Sequence, residues 1–402
     1  MKAHSQKRFT ARRTVYEVLI VITLTHLLND MIQSVIPASY PLIKEKFGFS
    51  FVQIGIITLV FQLATSLFQP FVGSYTDRHP RPYSLVFGMC LTFAGLLLLS
   101  FAGRFSFILL AVAVIGFGSS IFHPCASRVA RMASWRRKGF AQSVFQVGGE
   151  GGNAVGPLVA AMVVVPYGLR AIGWFAGVAV VAALLLVWIG RWLSRQLADG
   201  VRWKRLKVEG EPSGLSKEKI GFALFLLVAL MFAKNFYVNS MANYFTFFLI
   251  DKFGLTIQDS QICLFIYLFA FAVGIIAGGA VGDRFGRKYV ILGSILGASP
   301  FTVFLPYVDN LFLTLAFAVV TALIISSAFS SILVYATDLI PERFGTVAGA
   351  FYGLSFALGG IGSVFFGWLA DATSIRYVFE ITTLLPLLGI LAVFLPNLVR
   401  NS

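Results

Sequence analysis

Gly73-Ser74-Tyr75-Thr76-Asp77-Arg78 returns 206 residues later as Gly279-Ala280-Val281-Gly282-Asp283-Arg284, and Arg137 and Gly139 match Arg343 and Gly345 at that same spacing. Two unrelated polar stretches that agree on one offset mark an internal duplication. Each hexapeptide closes a long apolar run, and such runs recur along the whole chain with short interruptions.

Of 402 residues, 58% are hydrophobic and 12% charged, and the mean hydropathy is +0.84. Soluble domains carry roughly 25% charged residues, so this chain cannot cover a water-facing surface. Length alone suggests two or three soluble domains; the apolar runs overrule it. A bilayer core takes about 20 residues of helix. The runs that fit lie at approximately 15–37, 50–76, 83–102, 105–130, 138–165, 170–193, 220–250, 258–282, 288–307, 310–337, 344–370 and 374–396. Backbone groups in hydrocarbon must pair within their own segment, and these segments are too long for barrel strands. The sequence therefore predicts an all-α membrane protein, with twelve transmembrane helices in two pseudo-symmetric six-helix bundles. Pro37, Pro124, Pro157 and Pro300 are expected to kink or end helices, and the 41 phenylalanines suit lipid-facing and helix-packing surfaces.

The expected division is a basic tail over 1–14, a first bundle over 15–193, a linker over 194–219, a second bundle over 220–396 and a short tail over 397–402. The linker is the longest polar connection and holds Gly210, Pro212 and Gly214. Of the 32 Lys and Arg, Lys234 falls inside a span, and Lys44, Lys46, Arg104, Arg170, Lys252 and Arg376 fall in one set of loops. The other 25 fall in the alternate set with the two tails, which places both termini in the cytoplasm.

A formal charge of +15 raises the question of nucleic acid. The basic residues sit in the gaps between spans and form no soluble face, so no nucleic-acid partner is expected. Cys90, Cys125 and Cys263 all lie in apolar segments, with no metal-ligand or disulfide pattern. The basic start followed by an apolar run resembles a signal peptide. However, the run from Val15 to Ile36 carries His26, Asn29, Asp30 and Gln33 and is too long and too polar for one, so it reads as a retained first helix.

Beyond the duplicated hexapeptide, the first copy extends as Gly73-x-x-x-Asp77-Arg78-x-x-Arg81 and the second as Gly279-x-x-x-Asp283-Arg284-x-Gly286-Arg287-Lys288. Glycine lets helices approach, and an acid and a base at a helix end can pair across bundles and favour one gate state. These stretches resemble the loop signature of the major facilitator superfamily. The first copy departs from it at Pro80 and Pro82, where glycine and a basic residue are usual. Gly152-x-x-x-Gly156-Pro157 resembles the same superfamily's antiporter motif, although small residues at four-residue spacing also serve ordinary close packing.

The resemblance narrows at His26-Leu27-Leu28-Asn29-Asp30, Phe122-His123-Pro124, Ser127-Arg128-Val129-Ala130-Arg131-Met132-Ala133, and Gln142-x-x-Phe145-Gln146-Val147-Gly148-Gly149. With Gly282-Asp283-Arg284 and its sequel, these stretches are similar to the fosmidomycin resistance protein family across essentially every span. The resemblance implies a proton-coupled drug exporter of the bacterial inner membrane. Cys125 stands where that family often has glutamate, which leaves open which residue carries the proton.

Ionisable groups at membrane depth mark function by default. His26, Asp30 and Gln33 recur on one face of the first span, with Asn29 beside them. Gln142, Gln146, Glu150 and Asn153 form a stripe on the fifth span, and His123 lies on the fourth. Water exclusion disfavours a carboxylate's charged form, which suits Asp30 and Glu150 to proton uptake; His123 and His26 join them as proton-coupling candidates. Lys234 is too deep in the seventh span to reach an interface and wants an anion, either Asp338, Asp30 or cargo. Asn235, Tyr237, Asn239 and Asn243 accompany it, and with Asn29, Gln33, Gln146 and Tyr335 they complete the candidate cavity lining.

No phosphate-binding Gly-x-x-x-x-Gly-Lys-[Ser/Thr] loop occurs, and no catalytic constellation argues for an enzyme. No cofactor or metal is expected. The expected partners are a small-molecule substrate, protons and the lipid bilayer, with the monomer as the working unit. Uptake of an organic anion or metal chelate is the alternative within transport, and a non-transporting sensor on the same scaffold is the alternative outside it.

Overall fold

The computed structural model describes residues 15–79, 81–133, 138–198, 215–340 and 344–397. Within them the chain is helical, and no strand occurs among the described residues. The principal helices are α1 (Tyr16–Ala38), α2 (Phe51–Leu67), α3 (Ser84–Ser100), α4 (Phe105–Ala133), α5 (Lys138–Val159) and α6 (Phe175–Ala198) in the first half. The second half holds α7 (Lys217–Phe253), α8 (Ile257–Phe285), α9 (Arg287–Ile295), α10 (Leu311–Ile325), α11 (Phe344–Ala372) and α12 (Ile375–Thr382).

Among the described residues, nine helical stretches are long and apolar enough to cross a membrane, and Ser84–Ser100 and Leu311–Ile325 are shorter apolar helices. α5 is not among them because it carries the glutamine–glutamate stripe. The outward faces are apolar: Phe312 is 82% exposed and Phe71 and Phe225 68% each. Such a surface suits lipid rather than water.

The duplication reaches into local geometry. Gly48 and Gly254, 206 positions apart, both leave a helix with φ near +65° (+64° and +65°), a conformation that favours glycine. Two residues on, Ser50 and Thr256 each cap the next helix by accepting from a backbone N–H, that of Gln53 and that of Asp259. Capping satisfies an otherwise orphaned donor at each helix start.

The predicted spans are interrupted where the prolines act. Pro37 ends α1, Pro300 begins a short helix at Ser299–Phe304, and Pro124 stays inside an unbroken α4. Three breaks were not expected, one of them without a proline, at Ser326–Ser327 between Leu311–Ile325 and Ala328–Leu339. A turn at Phe68 precedes Pro70, and the last span changes to 3-10 helix at Leu385–Phe394 around Pro386. Cys125 and Cys263 are buried and Cys90 is exposed on the outer face; all three are free. The tails and most of the linker lie outside the described residues.

The two halves meet along α2–α11 and α5–α8. A Cβ on Gly55 of α2 would sit 2.4 Å from Ser363 O of α11, and one on Gly367 2.3 Å from Phe51 O. These contacts lie toward the turns at 39–50 and 373–374. Toward the other end of the same helix run, a Cβ on Gly73 would meet only Pro124 of its own half. The seam is therefore tight at one end of the molecule.

Candidate functional site

α1 and α5 pack closely because α5 presents glycine to α1 at every fourth position. A Cβ at Gly148 would lie 2.5 Å from Thr23 O, at Gly152 2.2 Å from Leu27 O, and at Gly156 2.5 Å from Ser34 Cβ. Pro157 has no N–H for the carbonyl of Asn153, and Ser34 Oγ of α1 donates to that oxygen instead, at 2.7 Å. Just beyond, the helix loosens into a π turn at Ala160–Val164. The antiporter-like motif thus builds a helix interface in this fold.

That interface holds the polar centre. His26 Nε2 lies 3.2 Å from Asp30 Oδ2, and His123 Nε2 of α4 lies 3.9 Å from Asp30 Oδ1. Asn29 Nδ2 donates to Asp30 Oδ1 at 2.8 Å. His26 stacks on Phe145, with ring centroids 4.0 Å apart, and its Nδ1 lies 2.7 Å from Phe145 O. A carbonyl oxygen only accepts, so Nδ1 carries the hydrogen. In a neutral ring the lone pair is then on Nε2, facing a carboxylate oxygen. Two acceptors at 3.2 Å need a cation between them, and a proton is the simplest. Gly149 leaves room for this: a Cβ there would meet His26 Nε2 at 2.6 Å and Asp30 Oδ2 at 2.8 Å.

Four of the predicted residues (His26, Asn29, Asp30 and His123) thus form one group, and Gln33 extends it by accepting from Ser119 Oγ at 3.1 Å. His26, Asp30 and His123 each offer a ligand atom, all within 4.8 Å of one another, a cluster that no spacing in the sequence reveals. Gln146 Nε2 donates to Glu150 Oε1 at 3.1 Å; the side chain of Gln142 lies outside the described residues.

Lys234 is buried, with Nζ 5.5 Å from the centre of the Phe271 ring. Glu150 of the other half is a carboxylate whose charge acts on it. Of the expected partners, Asp338 pairs with Arg287 at 3.5 Å and Asp30 contacts both histidines. The α7 asparagines form cross-links. Asn235 Nδ2 donates to Ser355 Oγ at 2.8 Å, Gln62 Nε2 of α2 donates to Asn239 Oδ1 at 3.1 Å, and Asn243 Nδ2 donates to Ser363 Oγ at 3.2 Å. Tyr237 is buried beside Thr321. Tyr335 stands apart, its hydroxyl donating to Pro396 O at the end of the second half.

Of the loop motifs, the side chains of Asp77, Arg78, Asp283 and Arg284 lie outside the described residues. Arg81 is exposed and Lys288 half-buried, while Gly286 adopts φ +88° at the turn into α9. Arg287 pairs with Asp338 inside its own half. Arg128 ties α4 to the first motif, with Nη1 donating to Thr76 Oγ1 at 3.0 Å and Nη2 to Gly73 O at 3.4 Å.

The duplication offered one further signal. At the 206 offset His26 and Asp30 become Phe232 and Phe236, whose rings lie 4.0 Å apart. The ionisable pair exists in the first half alone, and the second fills the same positions with an aromatic pair.

Ionisable groups buried among the apolar helices of a duplicated chain mark a substrate or ion pathway. The sequence pattern of the Major Facilitator Superfamily matches residues 22–258 and 224–402. The fosmidomycin resistance protein of Escherichia coli (strain K12) is 50% identical over 393 residues, 96% of this chain and 95% of that one. The MFS-type transporter YfnC of Bacillus subtilis (strain 168) is 39% identical over 387 residues, 96% and 94% of the two chains. Among solved structures, a bacterial homologue of the human lysosomal transporter Spinster, inward-facing and occupied, has a TM-score of 0.71 at 16% identity, covering 95% of this chain and 94% of its own. The nucleoside transporter NupG has a TM-score of 0.72 at 12% identity, covering 94% and 98%; these two share the fold. The chain belongs to the Major Facilitator Superfamily, within the fosmidomycin resistance protein family, and is a non-enzymatic, multi-pass transporter of the bacterial inner membrane.

Proposed function

We propose that this transporter is a proton-coupled exporter of small anionic, phosphonate-type compounds, working by alternating access of two six-helix halves. Its twelve crossings would be the nine long apolar stretches, the two shorter ones and the polar run of α5. The charge bias of the loops supports cytoplasmic termini, in which case the tight end of the seam faces the periplasm and cargo enters from the cytoplasm.

The observation that carries the coupling is the contact of His26 Nε2 with Asp30 Oδ2 at 3.2 Å. A proton there neutralises the contact. Its loss leaves a carboxylate against a lone pair, in a place where little water can screen them. Gly149 of α5 touches both groups, so the two protonation states favour different packings of α1 on α5. A ligand shifts such an equilibrium only by binding the two states differently, and the proton meets that condition here.

For cargo, Lys234 supplies a buried cation balanced by Glu150 across the seam, and an anionic compound competes for it. Gln33 Nε2, which has no hydrogen-bond partner among the described residues, is a second donor. The name of the Escherichia coli relative supports a fosmidomycin-like cargo. The test is flux in proteoliposomes under an imposed pH gradient. A phosphonate should move against the proton flow. Movement with the protons would make the chain an uptake system, and flux indifferent to the gradient would end the coupled mechanism.

A further inference from the structure

The centre between α1 and α4 has the composition of a metal site as well as of a proton site. We infer that His26 Nε2, a carboxylate oxygen of Asp30 and His123 Nε2 bind a divalent transition metal ion of the zinc class, which takes the place of the proton and pins α1 to α4.

Two imidazoles and a carboxylate suit zinc, cobalt or nickel. Tetrahedral zinc, with bonds of about 2.0–2.1 Å, holds its ligand atoms roughly 3.3–3.4 Å apart. His26 Nε2 and Asp30 Oδ2 already stand at 3.2 Å. His123 Nε2 lies 3.9 Å from Asp30 Oδ1, and the three ligand atoms span up to 4.8 Å, so His123 must draw in when an ion binds; its side chain is 25% exposed, which gives an ion a way in.

The surrounding groups match what metal ligands need. A ligating histidine characteristically donates its other N–H to a carbonyl or carboxylate, which fixes the tautomer and aims the lone pair. His26 does this through Nδ1 to Phe145 O at 2.7 Å. Ligating carboxylates are themselves hydrogen-bonded, as Asp30 is by Asn29 at 2.8 Å. The charge of Glu150 also acts on His26, which adds to the negative field a cation meets. Three protein ligands leave a fourth position for water.

Lodging an ion here blocks the proton's place, and that consequence rests on the export mechanism proposed above; binding itself does not. The test is calorimetric titration of the purified, tag-free full chain in detergent with zinc chloride, and with cobalt chloride for its visible spectrum. The expected result is one zinc per chain and the absorption bands of a four-coordinate cobalt. Asp30→Asn and His123→Gln should each weaken zinc by about tenfold or more, and Asn29→Leu by about 10–100-fold, the usual effect of losing an outer partner. His79→Gln, at an exposed histidine outside the centre, should change nothing. Melting temperatures show which variants fold; His123→Gln, at the more exposed position, keeps the test open if Asp30→Asn does not.

Absent zinc binding by the wild-type chain, or binding unchanged in both ligand variants, overturns the inference. Titration uses no gradient and no cargo, so the two proposals fail separately. A chain that exports but binds no zinc refutes this one alone, and a chain that binds zinc but moves nothing refutes the exporter alone.

Discussion

Asp371, at the end of α11, caps Phe51, at the start of α2: its Oδ1 accepts from the Phe51 backbone N–H at 2.8 Å, and Oδ2 accepts from Val52 N at the same distance. A carboxylate of one half thus satisfies the first orphan donors of a helix in the other, where the helix dipole also favours negative charge. Lys44 sits over the Phe51 ring, 4.1 Å from its centre. The tight end of the seam is held by this contact together with the glycine approaches beside it.

Removing the cap should loosen that end. Asp371→Ala is expected to cost about 1 kcal/mol, as cap losses do, and so to raise the open fraction at this end about fivefold. Spin labels at Glu45→Cys and Thr373→Cys in a cysteine-free background read the change as a larger share of long distances. An unchanged distribution would mean that the cap does not hold the seam.

The pairing of Ser34 with Asn153 predicts a rescue. Ser34→Ala leaves a buried carbonyl without a donor and should destabilise the chain by about 1–3 kcal/mol. Pro157→Ala restores the helical N–H that Asn153 O lacks, so the double variant should melt above Ser34→Ala alone. Additive losses in a double-mutant cycle would show that Ser34 and Pro157 act independently.

These relationships mark where sequence was enough. The duplication and the apolar periods are written in the order of the residues themselves, so class and element order were legible from the chain. His26, Asn29, Asp30 and Gln33 share one helix face by spacing alone. The influence of Glu150 on Lys234 was not legible, because the two lie on helices of different halves and only packing brings the charge of one to bear on the other. For the same reason Ser119, Phe145 and Arg128 were missed as partners: each acts through a contact with a distant segment. The hydroxyl of Tyr335 donates to Pro396 O in the chain's last described turn, a contact that spacing along the sequence could not show.

The charge balance between Glu150 and Lys234 gives the next test. Glu150→Gln and Lys234→Gln each remove one of two opposite buried charges that act on each other, so each single variant should fall in membrane abundance and melting temperature. The double variant should recover much of the loss, since an unpaired buried charge is worse than none. It should still fail to export phosphonates while keeping any export of neutral compounds. Equal loss for both kinds of cargo would make Lys234 a structural partner only.

Topology is open to a direct check. Reporter fusions within 194–219 should signal cytoplasm, and fusions near Lys46 and Arg170 should signal periplasm. An external signal from the central linker would invert the map and turn the tight end of the seam toward the cytoplasm.

The most direct measurement is gradient-driven export by Asp30→Asn in proteoliposomes, beside Glu150→Gln and wild type at equal protein. Asparagine keeps the shape of the side chain but cannot hold the proton that His26 and Asp30 share. Export driven by the pH gradient should disappear in Asp30→Asn, while exchange of cargo for cargo without a gradient persists. Normal gradient-driven export by Asp30→Asn, with its loss in Glu150→Gln, would place the coupling on the fifth span and contradict the role given to the His26–Asp30 contact.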